Sequence, residues 1–176
     1  MCTCTLVLVS GVPLRDQIED KFVTLGYLPK AKAIPVELSG PRVALISGGI
    51  RNVDEAEELL KAANIIIALP NSLAASDADA IATLAAGCSH LFVDEAHHIP
   101  ARTWRSVRDR FRGGKVIQFT ATPFRRDGQR VDGKIIFNYK LGDAQRADYY
   151  KKINLRTVEE YGDQKARDEA VARSAV

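Results

Sequence analysis

The chain has 176 residues, of which 46% are hydrophobic and 27% are charged, with a formal net charge of +3. This is the composition of a globular domain with enough chain to bury a core. The weak positive charge does not by itself require a nucleic-acid partner, and no run reaches the ~18 apolar residues of a membrane span. Cys2, Cys4 and Cys88 form no pair of CxxC motifs, so we expect reduced thiols in a cytoplasmic protein.

Predicted strands and helices alternate along most of the chain. Apolar runs rich in β-branched residues predict five strands, at 5–10, 42–49, 64–70, 90–95 and 115–123. Helical patterns lie between them, at 13–26, 54–63, 75–88 and 104–111. Because the runs are continuously apolar rather than alternating, we expect strands buried on both faces of a parallel sheet. The order of elements therefore predicts an α/β fold, a three-layer open parallel sheet with flanking helices.

The regular pattern ends near Tyr139. The remaining stretch is polar and mixed in charge, without a strong apolar run. We therefore expect one domain over residues 1–140 and a polar extension or linker over 141–176, leading toward a second domain.

Four of the predicted strands end in, or run into, polar or small residues. These residues are Ser10 and Gly11 for the first strand, Asn71 and Ser72 for the third, Asp94 to His97 for the fourth, and Thr120 to Thr122 for the fifth. In a parallel sheet all carboxyl ends lie on one edge, where open α/β folds bind their ligands. The sequence therefore predicts that these four segments converge on one rim.

The three histidines, His90, His97 and His98, raise the alternative of a transition-metal site. His90 opens its predicted strand and Asp94 closes it, so at ~3.3 Å per residue they lie about 13 Å apart. No helical His-x3-His pair and no nearby cysteine completes a ligand set for zinc. Asp94 and Glu95 suit Mg²⁺ better, because this ion takes one or two carboxylates and fills its shell with water and phosphate oxygens. Glu95 could then accept a proton from an attacking water, although an Asp-Glu pair after a strand is more often a solvated surface feature.

Two segments of the predicted rim match known helicase motifs. Asp94-Glu95-Ala96-His97, followed by Thr120-Ala121-Thr122-Pro123, resembles motifs II and III of the superfamily 2 helicases of the DEAD/DEAH-box family. LVLVSGVPLRDQ (6–17) resembles motif Ia, and ALPNSL (68–73) resembles motif Ib. The resemblance covers about residues 1 to 125 in the family's order, and motif II is its most specific part. It implies a RecA-like P-loop NTPase core that uses ATP and Mg²⁺ and acts on nucleic acid, with DNA favoured over RNA.

The resemblance also implies roles for residues of the rim. Asp94 would hold Mg²⁺ through water, and Glu95 would position and deprotonate the water that attacks the γ-phosphate. His97 would contact the end of the motif III strand, where the hydroxyl groups of Thr120 and Thr122 would couple hydrolysis to movement. The nucleic-acid backbone would be contacted by residues of the Ia- and Ib-like segments, which are Ser10, Gly11, Arg15, Asn71 and Ser72.

The phosphate-binding half of an ATP site has no counterpart in this sequence. P-loop motors hold the β- and γ-phosphates with a G-x4-G-K-[ST] loop and its lysine, and no such segment occurs in the 176 residues. Gly113-Gly114-Lys115 precedes a predicted strand instead of following one, and Ser47-Gly48-Gly49 has no lysine after it. In the helicase family this loop lies just upstream of motif Ia, where the chain begins. We therefore expect a truncated first motor domain, incomplete as a RecA-like core and inactive alone.

Two functions remain open at this point. The first is an ATP-dependent nucleic-acid helicase or translocase that acts with further domains or subunits of a motor complex. The alternative is a non-enzymatic remnant of such a helicase, which binds nucleic acid or a partner through the rim. The basic segment 104–111 and the weak positive charge support that alternative. A metal-dependent hydrolase using Asp94, Glu95 and His97 is a disfavoured third interpretation.

Overall fold

The computed structural model describes residues 4–98, 107–111, 114–122, 131, 133–149, 165 and 168. The chain divides into two compact units, residues 1–132 and 133–176. In the second unit, Leu141–Arg146 form a helix and the ring of Phe137 stacks on that of Tyr139. Within the described ranges no helix is both long enough and apolar enough to cross a membrane.

Five strands form one parallel sheet in the first unit. In chain order they are β1 (Cys4–Leu8), β2 (Val43–Ile46), β3 (Ile65–Ala68), β4 (Cys88–Val93) and β5 (Lys115–Gln118). The order across the sheet is β2-β3-β1-β4-β5, and every neighbouring pair is parallel. All five predicted strands and the three-layer α/β fold class are confirmed. Each strand ends two to five residues earlier than predicted, because the polar or special residues after the apolar run leave the hydrogen-bonded ladder.

Helices α1 (Val12–Val23), α2 (Val53–Ala62) and α4 (Ala78–Gly87) confirm three of the predicted helices. A further short helix, α3 (Pro70–Ala74), was not predicted. Its first residue was assigned to the preceding strand, but the fixed φ of proline suits the first position of a helix. Of the predicted helix at 104–111, residues 107–110 are helical and 104–106 lie outside the described residues.

Side chains cap the starts of α2 and α4. The side-chain oxygen of Asn52 accepts the backbone N–H of Glu55 at 2.9 Å, and the Glu55 carboxylate in turn accepts the backbone N–H of Arg51 at 2.9 Å. This reciprocal arrangement satisfies two donors at the start of α2, as in a capping box. At α4, Asp77 accepts the backbone N–H groups of residues 79 and 80, both at 3.0 Å. Both helices that cover one face of the sheet are therefore fixed at their first turn.

The sheet buries a core on each face. Along β1 the side chains alternate, with Leu6 and Leu8 in the cluster that contains α2 and α4, and Val7 and Val9 in the cluster that contains α1. All four side chains are at most 4% exposed. Burial on both faces explains why consecutive positions from Leu6 to the residue after β1, Val9, are all apolar. Truncating a fully buried side chain such as Leu6 to alanine is expected to cost about 3 kcal/mol.

The carboxyl ends of the five strands lie at one level. Register pairs join Leu8 to both Ala68 and Val93, Ala68 to Ile46, and Val93 to Gln118. These are the last residues of their strands, so the segments that follow all leave the same edge. The convergence predicted from the sequence is therefore present, and this edge is called the carboxyl edge below.

Candidate functional site

The acidic turn after β4 begins as a continuation of the sheet. The backbone N–H of Asp94 donates to the carbonyl of Leu8 at 2.9 Å, and Asp94 Oδ1 accepts the backbone N–H of Glu95 at 2.9 Å. Glu95 adopts φ of +48°, in the left-handed region that costs a non-glycine residue about 1 kcal/mol or more. The hydrogen bond to Asp94 helps to hold this backbone conformation. The turn therefore presents two adjacent carboxylates in a fixed, locally strained geometry.

The Glu95 carboxylate is only partly satisfied. Its Oε2 atom is buried and has no hydrogen-bond partner among the described residues, although 40% of the side chain is exposed. His97 Nδ1 lies 3.3 Å from that oxygen, which is close enough for attraction to a protonated imidazole. The contact is not a hydrogen bond, because the same nitrogen bonds to Thr120. A buried carboxylate oxygen without a donor is costly, and it marks a place where a water or a metal ion can bind.

His97 connects the acidic turn to the end of β5. Its Nδ1 atom lies 2.8 Å from Thr120 Oγ1. The Thr120 hydroxyl donates to the carbonyl of Thr122 at 2.7 Å and accepts the backbone N–H of Thr122 at 3.1 Å. A hydroxyl has one proton to donate, so with that proton on the Thr122 carbonyl, Nδ1 must carry its own hydrogen toward Thr120. The Thr120 hydroxyl thus holds the His97 ring and the Thr122 backbone in one hydrogen-bonded network.

Backbone bonds hold the same two segments together. The N–H of Ala96 donates to the carbonyl of Phe119 at 3.1 Å, and the N–H of Phe119 donates to the carbonyl of Val93 at 2.8 Å. Ala96 is 7% exposed and belongs to the buried cluster under the sheet. A movement of the acidic turn would therefore be transmitted to the end of β5 through both backbone and side-chain contacts.

The edge beyond β1 carries the residues expected to contact nucleic acid. Ser10 is exposed, and Gly11 precedes the first residue of α1 in an extended conformation. The side chain of Arg15 is 14% exposed, and it bonds Asp16 Oδ1 at 2.9 Å and Ser47 Oγ at 3.3 Å. Arg15 therefore links α1 to the segment after β2. The contact between Ser47 and Arg15 spans 32 positions of the chain, so no local sequence pattern indicates it.

Asn71 and Ser72 lie in α3, directly after β3. Asn71 is exposed, whereas Ser72 is 7% exposed and its carbonyl accepts the hydroxyl of Ser76 at 2.8 Å. The Ser76 hydroxyl also accepts the backbone N–H of Ile50 at 2.8 Å. Of the two residues, Asn71 is thus the one that presents its side chain to solvent, and Ser72 contributes to the packing of α3.

The strand order divides the carboxyl edge into two halves. Ser47, Asn71 and Ser10 follow β2, β3 and β1, whereas Asp94 and Thr120 follow β4 and β5. Neighbouring strands are about 4.8 Å apart, so the acidic turn lies one strand from Ser10 and farther from the other two. The hydroxyl and amide groups of Ser47, Asn71 and Ser10 therefore follow different strands from the acids, along the same edge of the sheet.

The acidic half has the donor set expected for Mg²⁺ rather than for a transition metal. No three His, Cys, Asp or Glu side chains are arranged to hold a metal ion in the part of the chain that the structure describes. Mg²⁺ needs only one or two carboxylates and keeps several water ligands. Asp94, at the start of the acidic turn, fits that requirement as a single carboxylate. His90 lies near the opposite end of β4, where its Nδ1 contacts Ser89 Oγ at 2.8 Å, and the side chain of His98 lies outside the described residues.

Sequence comparison identifies the family. The family model of the type III restriction enzyme res subunit matches residues 3–125, which include the whole sheet and both halves of the carboxyl edge. The chain belongs to the type III restriction enzyme res subunit family. The res subunit family is helicase-like, of superfamily 2, and its members are ATPases that act on nucleic acid. The parallel sheet with flanking helices is consistent with the RecA-like domain of such proteins. No curated protein matches the chain.

Proposed function

We propose that the chain is a first motor domain of an ATP-dependent DNA helicase or translocase of the DEAH-box type. The observation that carries this proposal is the contact between His97 and Thr120, which joins the acidic turn to the end of β5. A pair of solvated acids after a strand needs no such link, whereas a motor must connect hydrolysis to movement. DNA is the proposed substrate because restriction enzymes, after which the family is named, act on DNA.

In this proposal the acidic half of the carboxyl edge acts on ATP and Mg²⁺. Asp94 would hold the ion through water, and its Oδ1 accepts the Glu95 N–H, which orients the carboxylate. The Glu95 carboxylate accepts the proton of the attacking water as a general base, which requires an oxygen that no protein donor occupies. Glu95 Oε2 meets that condition among the described residues. The metal would supply charge stabilisation at the γ-phosphate.

His97, Thr120 and Thr122 form the coupling path of the proposed motor. A change at the γ-phosphate would alter the position of the Glu95 carboxylate, whose Oε2 lies 3.3 Å from His97 Nδ1. The imidazole shares that nitrogen with Thr120, whose hydroxyl bonds both the N–H and the carbonyl of Thr122. Movement of the acidic turn is thereby passed to the segment after β5.

The other half of the carboxyl edge is the proposed DNA-contacting surface. Ser10, Gly11 and Asn71 offer a hydroxyl, backbone N–H groups and an amide, which are typical donors to phosphate oxygens. Arg15 supplies positive charge, held in place by Asp16 and Ser47. Ser72 is buried and packs within α3, so it helps to position Asn71 rather than contacting DNA itself. Such contacts are made to the sugar-phosphate backbone of DNA and do not distinguish its base sequence.

The chain alone is expected to bind DNA without hydrolysing ATP efficiently. Phosphoryl transfer in P-loop motors depends on a loop and lysine that grip the β- and γ-phosphates, and the 176 residues contain no such segment. ATPase activity of this chain should therefore stay at background, with or without DNA. A DNA-stimulated ATPase of the purified 176-residue chain would contradict this part of the proposal.

DNA binding is tested by fluorescence anisotropy with a labelled single-stranded oligonucleotide. Arg15→Ala should weaken binding about fivefold and lower the salt slope by about 1, as expected for one phosphate contact. The matched control is Arg42→Ala, because Arg42 lies just before β2 at the opposite edge of the sheet and is exposed. Equal effects of the two substitutions, in variants with unchanged melting temperature, would refute the placement of DNA on the carboxyl edge.

A further inference from the structure

Two buried cysteines lie side by side at the edge opposite the candidate site. Cys4 opens β1 and Cys88 opens β4, and the two are register partners on these neighbouring parallel strands. They are 3% and 4% exposed, and both are free thiols. Neighbouring strands lie about 4.8 Å apart, which falls within the Cα separation of about 4.4 to 6.8 Å that a disulfide requires.

A β-bulge turns the Cys88 side chain toward Cys4. Cys4 pairs with Cys88 but the next residue, Thr5, pairs with His90, so Ser89 is an extra residue in β4. By simple alternation Cys88 would point away from the face that buries Leu91, since the two residues are three positions apart. Instead Cys4, Cys88 and Leu91 belong to the same buried cluster. Bulges commonly re-aim a side chain in this way.

The two thiols are in direct contact and differ in acidity. A hydrogen bond from the Cys88 thiol, aided by the backbone N–H of Thr5, lowers the pKa of Cys4 below that of an ordinary thiol despite burial. The same bond, together with burial, raises the pKa of Cys88. The thiolate is the reactive form of cysteine. The interaction between the two thiols thus favours one thiolate beside one protonated thiol.

We propose that Cys4 and Cys88 form a redox-reactive dithiol, which a peroxide converts into a disulfide that joins β1 to β4. The Cys4 thiolate attacks the peroxide oxygen, which breaks the O–O bond, releases hydroxide and leaves a sulfenic acid on Cys4. The Cys88 sulfur then attacks the Cys4 sulfur, and the sulfenic oxygen leaves as water with the Cys88 proton. Two thiols and one hydrogen peroxide give one disulfide and two waters, so the two electrons lost by sulfur reduce the peroxide.

Geometry favours this proposal over the view that both cysteines are inert core residues. Free cysteines are commonly buried as small apolar side chains, but such a role requires neither register pairing nor a bulge that brings both side chains into one buried cluster. Ser89, the inserted residue, also donates its hydroxyl to the carbonyl of Cys4 at 3.3 Å. The bulge that aligns the thiols is therefore stabilised by its own contact.

The test uses a Cys2→Ser variant, so that only Cys4 and Cys88 can react. After treatment with dilute hydrogen peroxide, the intact mass should fall by two hydrogens, and iodoacetamide in denaturant should label no thiol. The melting temperature should rise by about 10 °C, because the cross-link closes a long loop. The same treatment of Cys2→Ser/Cys88→Ser should add oxygen instead.

Three results would overturn the proposal. These are two thiols that remain reactive after peroxide, a gain of oxygen on Cys4 or Cys88 rather than on Met1 in the Cys2→Ser variant, or disulfide-linked dimers. Should the double variant not fold, peptide mapping of the oxidised unsubstituted chain decides the matter. Fragmentation should then join Cys4 to Cys88, and a Cys2–Cys88 bond would contradict the assignment.

Discussion

Replacing Thr120 by valine removes one hydroxyl and keeps the β-branched shape. That hydroxyl bonds His97 Nδ1 at 2.8 Å and the carbonyl and N–H of Thr122 at 2.7 and 3.1 Å. Thr120→Val therefore breaks the proposed coupling path at its centre without creating a large cavity.

The expected loss in the free energy of unfolding depends on how well water replaces each lost hydrogen bond. The His97 side chain is 15% exposed, so water and the Glu95 carboxylate replace its bond to the Thr120 hydroxyl only in part, at a cost of about 1 kcal/mol. Thr122 is exposed, so water largely satisfies its backbone groups, and the two bonds together contribute about 0.5 kcal/mol. The sum is about 1.5 kcal/mol, or a fall of about 0.7 M in the urea midpoint at an m-value of about 2 kcal/mol/M.

Urea unfolding followed by circular dichroism measures this difference. The matched control is Thr122→Val, which makes the same chemical change two residues along. The Thr122 hydroxyl has no recorded bond to another described residue, and only its backbone N–H and carbonyl take part in the network. Its midpoint should shift by less than about 0.2 M. Equal shifts in the two variants would show that the contact between His97 and Thr120 does not carry the assigned energy.

Two further predictions concern the segment after β2 and the start of α2. Gly49→Ala should destabilise the protein by about 2 kcal/mol or more, because the new Cβ would lie 2.5 Å from the Ala75 carbonyl oxygen. The control is Gly48→Ala, whose Cβ would have no atom within 4 Å, and it should be near neutral. Thermal melts of the two variants measure the difference. The backbone N–H and side chain of Arg51 lower the pKa of Glu55. The ionised Glu55 should therefore make the protein more stable than Glu55→Gln above the ordinary glutamate pKa. This difference in stability should vanish as the pH falls through the lowered pKa. Unfolding experiments across the acidic range measure that loss, and a difference that persists at the lowest pH would contradict the assigned cause.

The sequence predicts the sheet well because each strand is a continuous β-branched run between polar segments. It predicts the shared edge for the same reason, since parallel strands must place Asp94 and Thr120 on one side. It cannot predict register or bulges from runs that are apolar on both faces, because a one-residue slip changes little in their pattern. The pairing of Cys4 with Cys88 depends on such a bulge and was therefore not foreseen.

Other features of the site depend on tertiary contacts that no local pattern encodes. Ser72 was expected at a nucleic-acid surface, and its burial follows from the packing of α3, a short helix that was not predicted. The left-handed backbone of Glu95 is unusual for glutamate and is supported by the Asp94 carboxylate. The bond between Arg15 and Ser47 joins residues 32 positions apart. These details refine the positions of the candidate residues without changing the edge on which they lie.

The most direct test of the proposed site is an NMR titration of the ¹⁵N-labelled chain with Mn²⁺ and then with single-stranded DNA. Mn²⁺ occupies Mg²⁺ sites and broadens nearby amide signals, so weak binding suffices. Mn²⁺ should broaden the amide signals of Glu95 and Thr120, and Asp94→Asn should abolish this broadening. DNA should shift the amide signals of Gly11 and Asn71. Broadening that survives Asp94→Asn, or DNA shifts confined to the opposite edge of the sheet, would contradict the proposed site.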